Sequence, residues 1–352
     1  MVANLVANLA ALTAYRPPGS RLIVSTRHPK HTRYARTGFP PKAFVAMVGT
    51  LERLGYLDRV VGTHNGLRTT LRPTERLLEY LPRFGDTPAV GRLKGAESII
   101  LKAMVPRNKV KVLVEYEDSE ESSGLRAEME TINAAINASV LTLDGQKQLP
   151  VHMVRQFLIP SKTTASRFDG HGRMYWGWWQ GLERSARSGI KIDGHPVVEL
   201  DYSACFLRLS YAEVGIRPQE GDLYEGLGEM SRAAGKTAIS ALLCRSGPMV
   251  RLPDDLKAEL GDGWNGSRVT AAVQSKHQAI APLFGQGIWP RLMFTESQIM
   301  VSVLLELIRR GIVALPIHDG LLVAEPHAEV CAEVMREAAL KVTGFEFPVA
   351  RK

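Results

Sequence analysis

Cysteine is scarce in this 352-residue chain: Cys205, Cys244 and Cys331 stand far apart, with no CxxC and no Cys/His spacing. That excludes a disulfide framework and a cysteine zinc site, and it suits a reducing, cytoplasmic setting. Long apolar runs are missing too. No stretch reaches the roughly 18 residues a membrane span needs, and the opening MVANLVANLAALTAY lacks a basic n-region, so it reads as an amphipathic helix and no membrane partner is expected. Internal repeats and low-complexity tracts are absent as well. Acidic residues are outnumbered: 36 Asp and Glu face 44 Lys and Arg, a net charge of +8, which favours an anionic partner such as nucleic acid.

What is present is an ordinary globular composition, 45% hydrophobic and 23% charged, of a length that suits two domains. A helix is expected at Leu5 to Leu12, a short strand at Arg21 to Ser25, and a helix carrying Phe44, Val45, Val48, Leu51 and Leu54 on one face until Gly55 ends it. A hairpin follows, with strands Tyr56 to Gly62 and Leu67 to Leu71 around the turn Thr63-His64-Asn65-Gly66, and Pro73 opens another helix. Helix, helix and hairpin in this order resemble a winged helix, either a duplex-binding module using the basic stretch Arg21 to Arg36 or a packing domain. Residues 1–87 are therefore expected to form a winged-helix-like domain, with a boundary near Gly85-Asp86-Thr87-Pro88. Between 88 and 150 the signals are an apolar strand at Val110 to Tyr116, a solvated acidic loop Glu117 to Glu121 and a helix from Leu125 to Ala138.

Two carboxylates lie at the ends of apolar strands. Val197 to Leu200 delivers Asp201 just before a helical pattern at Phe206, Leu207, Leu209 and Tyr211, and the apolar runs around His318-Asp319-Gly320 place Asp319 in a tight turn. Each alone also fits a structural role, Asp201 as a helix cap and Asp319 as a turn former. Gly235-Lys236-Thr237 ends like a phosphate loop, but Met230 stands where its first glycine belongs. The aromatics Tyr175, Trp176, Trp178 and Trp179 suit either base stacking or a packed wall.

VVELDYSACFLRL, residues 197–209, resembles the first catalytic motif of the family A DNA polymerases and single-subunit phage-type RNA polymerases, and LPIHDGLLV, residues 315–323, resembles their third. Asp201 and Arg208 match the aspartate and arginine of the first, and His318 and Asp319 the pair of the third. Between them, Arg232 and Lys236 match the cations of the family's fingers helix, four residues apart on one face. Upstream, Asp169-Gly170-His171-Gly172-Arg173 resembles the family's Gly-Arg element, and Thr295 to Gln298 opens a helix before the His-Asp hairpin. The succession spans residues 151–352 and is similar to a compact phage- or plasmid-like member.

The resemblance implies an α+β fold, a right-hand palm built on an antiparallel sheet with helical fingers over residues 151–352. Residues 88–150 would be linker and reduced thumb. It implies a template-directed nucleotidyltransferase, a small DNA polymerase with some priming ability, acting on nucleoside triphosphates and a DNA or RNA primer-template. Two Mg²⁺ ions, or Mn²⁺, would be held by Asp201, Asp319 and the carbonyl of Tyr202. Lys236 and Arg232 would take the triphosphate, Phe206 and Tyr202 would border the nucleotide, and Gly172, Arg173, His318, Glu296 and Gln298 would contact primer and template. Phe206 stands where the family's DNA polymerases carry a glutamate and Cys244 where they carry a tyrosine, which opens the question of sugar choice and fidelity. With no room for an exonuclease domain, a replication or processivity partner is expected. The other classes considered are an RNA polymerase or primase, a metal nuclease, and a winged-helix regulator with an inactive polymerase-like domain.

Overall fold

The computed structural model describes residues 1–24, 33–34, 40–63, 67–81, 96–105, 110–162 and 164–352. Most of the basic stretch after Ser25, the turn at His64 to Gly66 and the expected boundary at 85–88 lie outside these residues. The chain divides into two compact units, one of residues 1–97 with 148–150, the other of residues 98–147 with 151–352.

In the first unit, α1 (Val2–Tyr15), β1 (Leu22–Ile23), α2 (Pro41–Arg53), β2 (Leu57–Val60), β3 (Thr70–Pro73) and the short α3 (Glu75–Leu78) follow one another. The strands form an antiparallel sheet ordered β1-β3-β2. Leu5 and Leu9 of α1, Val48 of α2, and Leu57, Leu71 and Leu77 close over a small core. Pro73 ends β3 instead of opening a helix, and Thr74 precedes α3. Arg21, expected on the basic face, is spent internally: it bonds to Asp58 Oδ2 at 2.8 Å and to Thr70 Oγ1 at 2.9 Å, which ties β1 to the hairpin.

The second unit starts with β4 (Ile99–Val105) and β5 (Val110–Leu113), then α4 (Glu120–Ala138). The acidic stretch read as a loop supplies the first turn of α4, because Ser119 and Ser122 cap it reciprocally and Glu120 and Glu121 suit the positive end of the helix dipole. Next come β6 (Leu141–Leu143), β7 (Gln146–Lys147), β8 (Val154–Ile159), β9 (His171–Tyr175), β10 (Ile190–Ile192), β11 (His195–Tyr202) and α5 (Cys205–Glu213). After them lie α6 (Arg232–Cys244), α7 (Asp254–Leu260), α8 (Gly266–Lys276), α9 (Trp289–Arg309), β12 (Ala314–Ile317), β13 (Gly320–Ala324), α10 (Ala328–Thr343) and β14 (Val349–Arg351).

Among the described residues β12, β13, β11, β10, β6 and β7 neighbour one another in an antiparallel sheet, with β14 also on β11. A second sheet, β5-β4-β8-β9, contains one parallel pair, β4 with β8. α4 packs on α9 and on β4, so residues 98–147 belong to the second unit and not to the separate linker and thumb expected over 88–150. The fold class is α+β. No helix among the described residues is long and apolar enough to cross a membrane.

Candidate active site

β11 is the platform. Its side chains alternate, so Leu200 and Tyr202 turn inward while Glu199 and Asp201 share the other face. Tyr202 is 3% exposed and its hydroxyl donates to the Met335 carbonyl of α10 at 2.5 Å, so its backbone, not its ring, borders the site. Asp201 lies in the strand and does not cap a helix, since the residue before α5 is Ala204.

Register then brings in the second carboxylate. Asp201 pairs with Gly320 across β11 and β13, and the Tyr202 N–H donates to the Asp319 carbonyl at 3.3 Å. A side chain at position 320 would come within 2.6 Å of the Leu200 carbonyl, so only glycine lets the strands pair this closely beside Asp319.

Asp201, Asp319, Tyr202, Phe206, Arg173, Arg232 and Lys236 all line one cleft of about 760 Å³. Ser231 caps α6, its Oγ accepting from the Ala234 N–H at 3.1 Å, and Lys236 therefore stands inside a helix; no phosphate loop exists there. Arg232 is 56% exposed and steadied by Asp222 at 2.5 Å. Phe206 is half-buried on the cleft wall, with the Arg173 guanidinium 5.3 Å from its ring centre.

Other expected residues lie apart from the cleft wall. α9 begins at Trp289, with Pro290 in its first turn, not at Thr295. Glu296 is consequently carried inward, 1% exposed, and forks onto Arg173 through bonds of 2.7 and 2.6 Å. Burial raises the Glu296 pKa to about 7, against the opposing pull of its fork onto Arg173. Arg173 thus reaches the cleft as half of an ion pair instead of a free cation for a phosphate backbone. Gln298 accepts from buried Arg155 at 3.3 Å. A Cβ on Gly172 would meet Ser297 Oγ at 2.5 Å, so this glycine serves packing of β9 on α9. His318, in the left-handed region at φ 52°, precedes Asp319, and its ring lies 5.9 Å from that of Tyr175. Burial and then the charge of Arg173 lower its pKa, leaving it neutral at pH 7.

Of the aromatic cluster, Trp179 is a packing residue, fully buried and bonded to the Pro316 carbonyl at 3.0 Å, while Trp176 is 56% exposed. Among the described residues His171, Trp176, Ala204 and His318 hold left-handed backbone conformations, as do Asp144 and Asp193, and of these Ala204 lines the cleft. Residues with no motif to announce them are here too. Lys352 forms an ion pair with Asp201, and Tyr224 lines the cleft from the segment between α5 and α6. Arg155 ties α4, β8, β9 and α9 through Glu128, the Gly172 carbonyl and Ser297.

Among the described residues no three His, Cys, Asp or Glu side chains converge as a metal cage. Two carboxylates do meet the lesser demand of Mg²⁺, which is commonly bound by one or two carboxylates plus substrate phosphates. Asp201 Oδ1 is buried without a hydrogen-bond partner and Oδ2 already attracts an ammonium, so this carboxylate is arranged for a cation.

No family model matches the chain, and no curated protein matches it significantly. Among solved structures, the polymerase domain of Pol1 from M. smegmatis, in complex with DNA primer-template and dNTP, is similar over 66% of this chain at 12% identity and a TM-score of 0.32. The chain covers 51% of that one, about half its length.

Proposed function

We propose that this protein is a template-directed nucleotidyltransferase that adds deoxynucleotides to a 3′-hydroxyl on a primer-template. One observation carries the reading: two carboxylates from strands distant in sequence meet at Asp201 and Asp319, and the same cleft is faced by two cations one helical turn apart on α6.

Asp201, Asp319 and the Tyr202 carbonyl would hold magnesium, which when bound supplies a lowered hydroxyl pKa and neutralises charge on the leaving oxygens. Arg232, braced by Asp222, binds the outer phosphates of the incoming nucleotide. Lys236, one turn further into the cleft, binds the same triphosphate and donates a proton to the departing pyrophosphate. Phe206 and Arg173 form the floor beneath the sugar, and Glu296 holds Arg173 there. His318, neutral and beside Asp319, positions the primer end.

Primer extension with deoxy- and ribonucleotides, on DNA and RNA templates, tests this. Asp201→Asn and Asp319→Asn are each expected to abolish extension while circular dichroism stays that of the wild type. Lys236→Ala is expected to slow incorporation on the order of 10²-fold. Extension by either aspartate variant at the wild-type rate would sink the assignment, and ribonucleotide-only synthesis would replace it with an RNA polymerase.

A further inference from the structure

The cleft face of β11 continues behind Asp201, where Glu199 points the same way. A row of cations crosses this face, and the nucleotide-binding assignment uses none of them. Arg187 Nη1 donates to Glu199 Oε2 at 2.9 Å. The backbone N–H of Lys352 donates to the Glu199 carbonyl at 3.0 Å, and its ammonium lies against Asp201. Arg184 precedes the 3₁₀ turn Ser185–Gly189 that carries Arg187, and residues three apart in such a turn align on one side. The charges of Arg184 and Arg187 both reach Lys352, and that of Arg187 also reaches His318.

Counting charge decides what this row can do. Glu199 answers Arg187 and also attracts Lys352, and Asp201 is committed to a metal in the proposed function, so Arg187 and Lys352 then share a single carboxylate. Arg184 is exposed and forms no ion pair among the described residues. Uncompensated cations next to a carboxylate centre would weaken it unless a second anion runs between them. The triphosphate assigned to Arg232 and Lys236 is held from α6, whereas Arg184 and Arg187 stand outside that cleft lining, by the 3₁₀ turn that meets β11 at Glu199.

Resting on the polymerase reading, we propose that Arg184, Arg187 and Lys352 bind the backbone phosphates of the strand being extended, which passes Glu199 and brings its 3′-hydroxyl to Asp201. The nucleotide then approaches the two carboxylates from the side of α6, and the polymer from the side of the Ser185–Gly189 turn. Lys352 passes from Asp201 to a phosphate when metal and primer are both present.

The test is a titration of a fluorescein-labelled primer-template duplex with the full chain at several KCl concentrations. Arg184→Ala is expected to weaken binding three- to tenfold and to lower the log–log salt slope by about one, as the loss of a single phosphate contact does. Arg184→Glu should weaken it further, while Lys236→Ala, on the nucleotide side, keeps the wild-type DNA affinity. Because Arg184 is exposed, unchanged melting temperatures will separate these effects from unfolding. Wild-type affinity and slope in both Arg184 variants of a protein that extends primers overturn the proposal, as does weaker binding with an unchanged slope. A wild-type chain that neither binds nor extends primer-template overturns the polymerase reading and this proposal together.

Discussion

In the proposed reaction Phe206 is the residue on which sugar choice would turn. It belongs to α5, directly after a left-handed turn at Ala204, and so its ring comes back to the cleft instead of entering the core with Leu207 and Leu209. A ribonucleotide's 2′-hydroxyl set against this ring would lose water and gain no hydrogen bond, at a cost of about 1–3 kcal/mol. Phe206→Ala is therefore expected to raise ribonucleotide use relative to deoxynucleotide by roughly 5- to 150-fold, measured as a ratio of incorporation efficiencies. Its melting temperature should fall less than a core truncation of about 3–5 kcal/mol would cause. An unchanged sugar ratio in a folded variant would remove Phe206 from the nucleotide's surroundings. Asp201, Asp319, Arg232 and Lys236 were legible because each stands in a short local pattern. Glu296 was named as a primer-template contact, but its burial was not legible, since that depends on where α9 starts and on Arg173 of β9. Lys352 and Tyr224 carry no pattern at all; only the folded register of β14 and the path between α5 and α6 bring them in.

At the scale of elements, the helical region around the cleft is pinned by a histidine that carries no charge. His277, at the end of α8, is 1% exposed. Its Nε2 lies 3.0 Å from the Leu223 carbonyl, which can only accept, so that nitrogen carries the proton and Nδ1 accepts from the Tyr211 hydroxyl at 3.0 Å. Burial lowers its pKa from 6.5 to about 4. The unfolded chain takes up a proton near 6.5 and the folded one does not until about 4, so acid favours unfolding throughout that interval. Stability is expected to drop by about 2 kcal/mol from this group between pH 7 and pH 4.5. His171, whose pKa burial pulls to about 3, acts in the same direction, so the useful quantity is the difference between wild type and His277→Gln in urea titrations at the two pH values. A His277→Gln curve as steep in pH as the wild type would show that His277 is not the group responsible. Periodicity revealed α5, α6 and α9, but not this tie, because it joins three segments through single atoms.

On the whole-molecule scale the division into two units was partly legible. Turn residues and amphipathic spacing marked the elements of the first unit, whose core is small and local. The assignment of 98–147 to the second unit was hidden, since it depends on β4 pairing parallel to β8, a non-local contact with no composition signal. The same non-locality has a consequence for how the molecule comes into being. β11 can meet β13 only after α5 through α9 have been made and folded back, so Asp201 and Asp319 share no site in a partly folded chain. Loop closure of that size slows the pairing, while the helices in between form quickly. On dilution from urea, helical circular dichroism should return before the ability to incorporate a nucleotide, and simultaneous recovery would place the pairing early instead. Under the proposed function, a nascent chain would stay chemically inert toward cellular nucleotides until β11 and β13 have paired, which would make catalytic competence itself a reporter of that pairing.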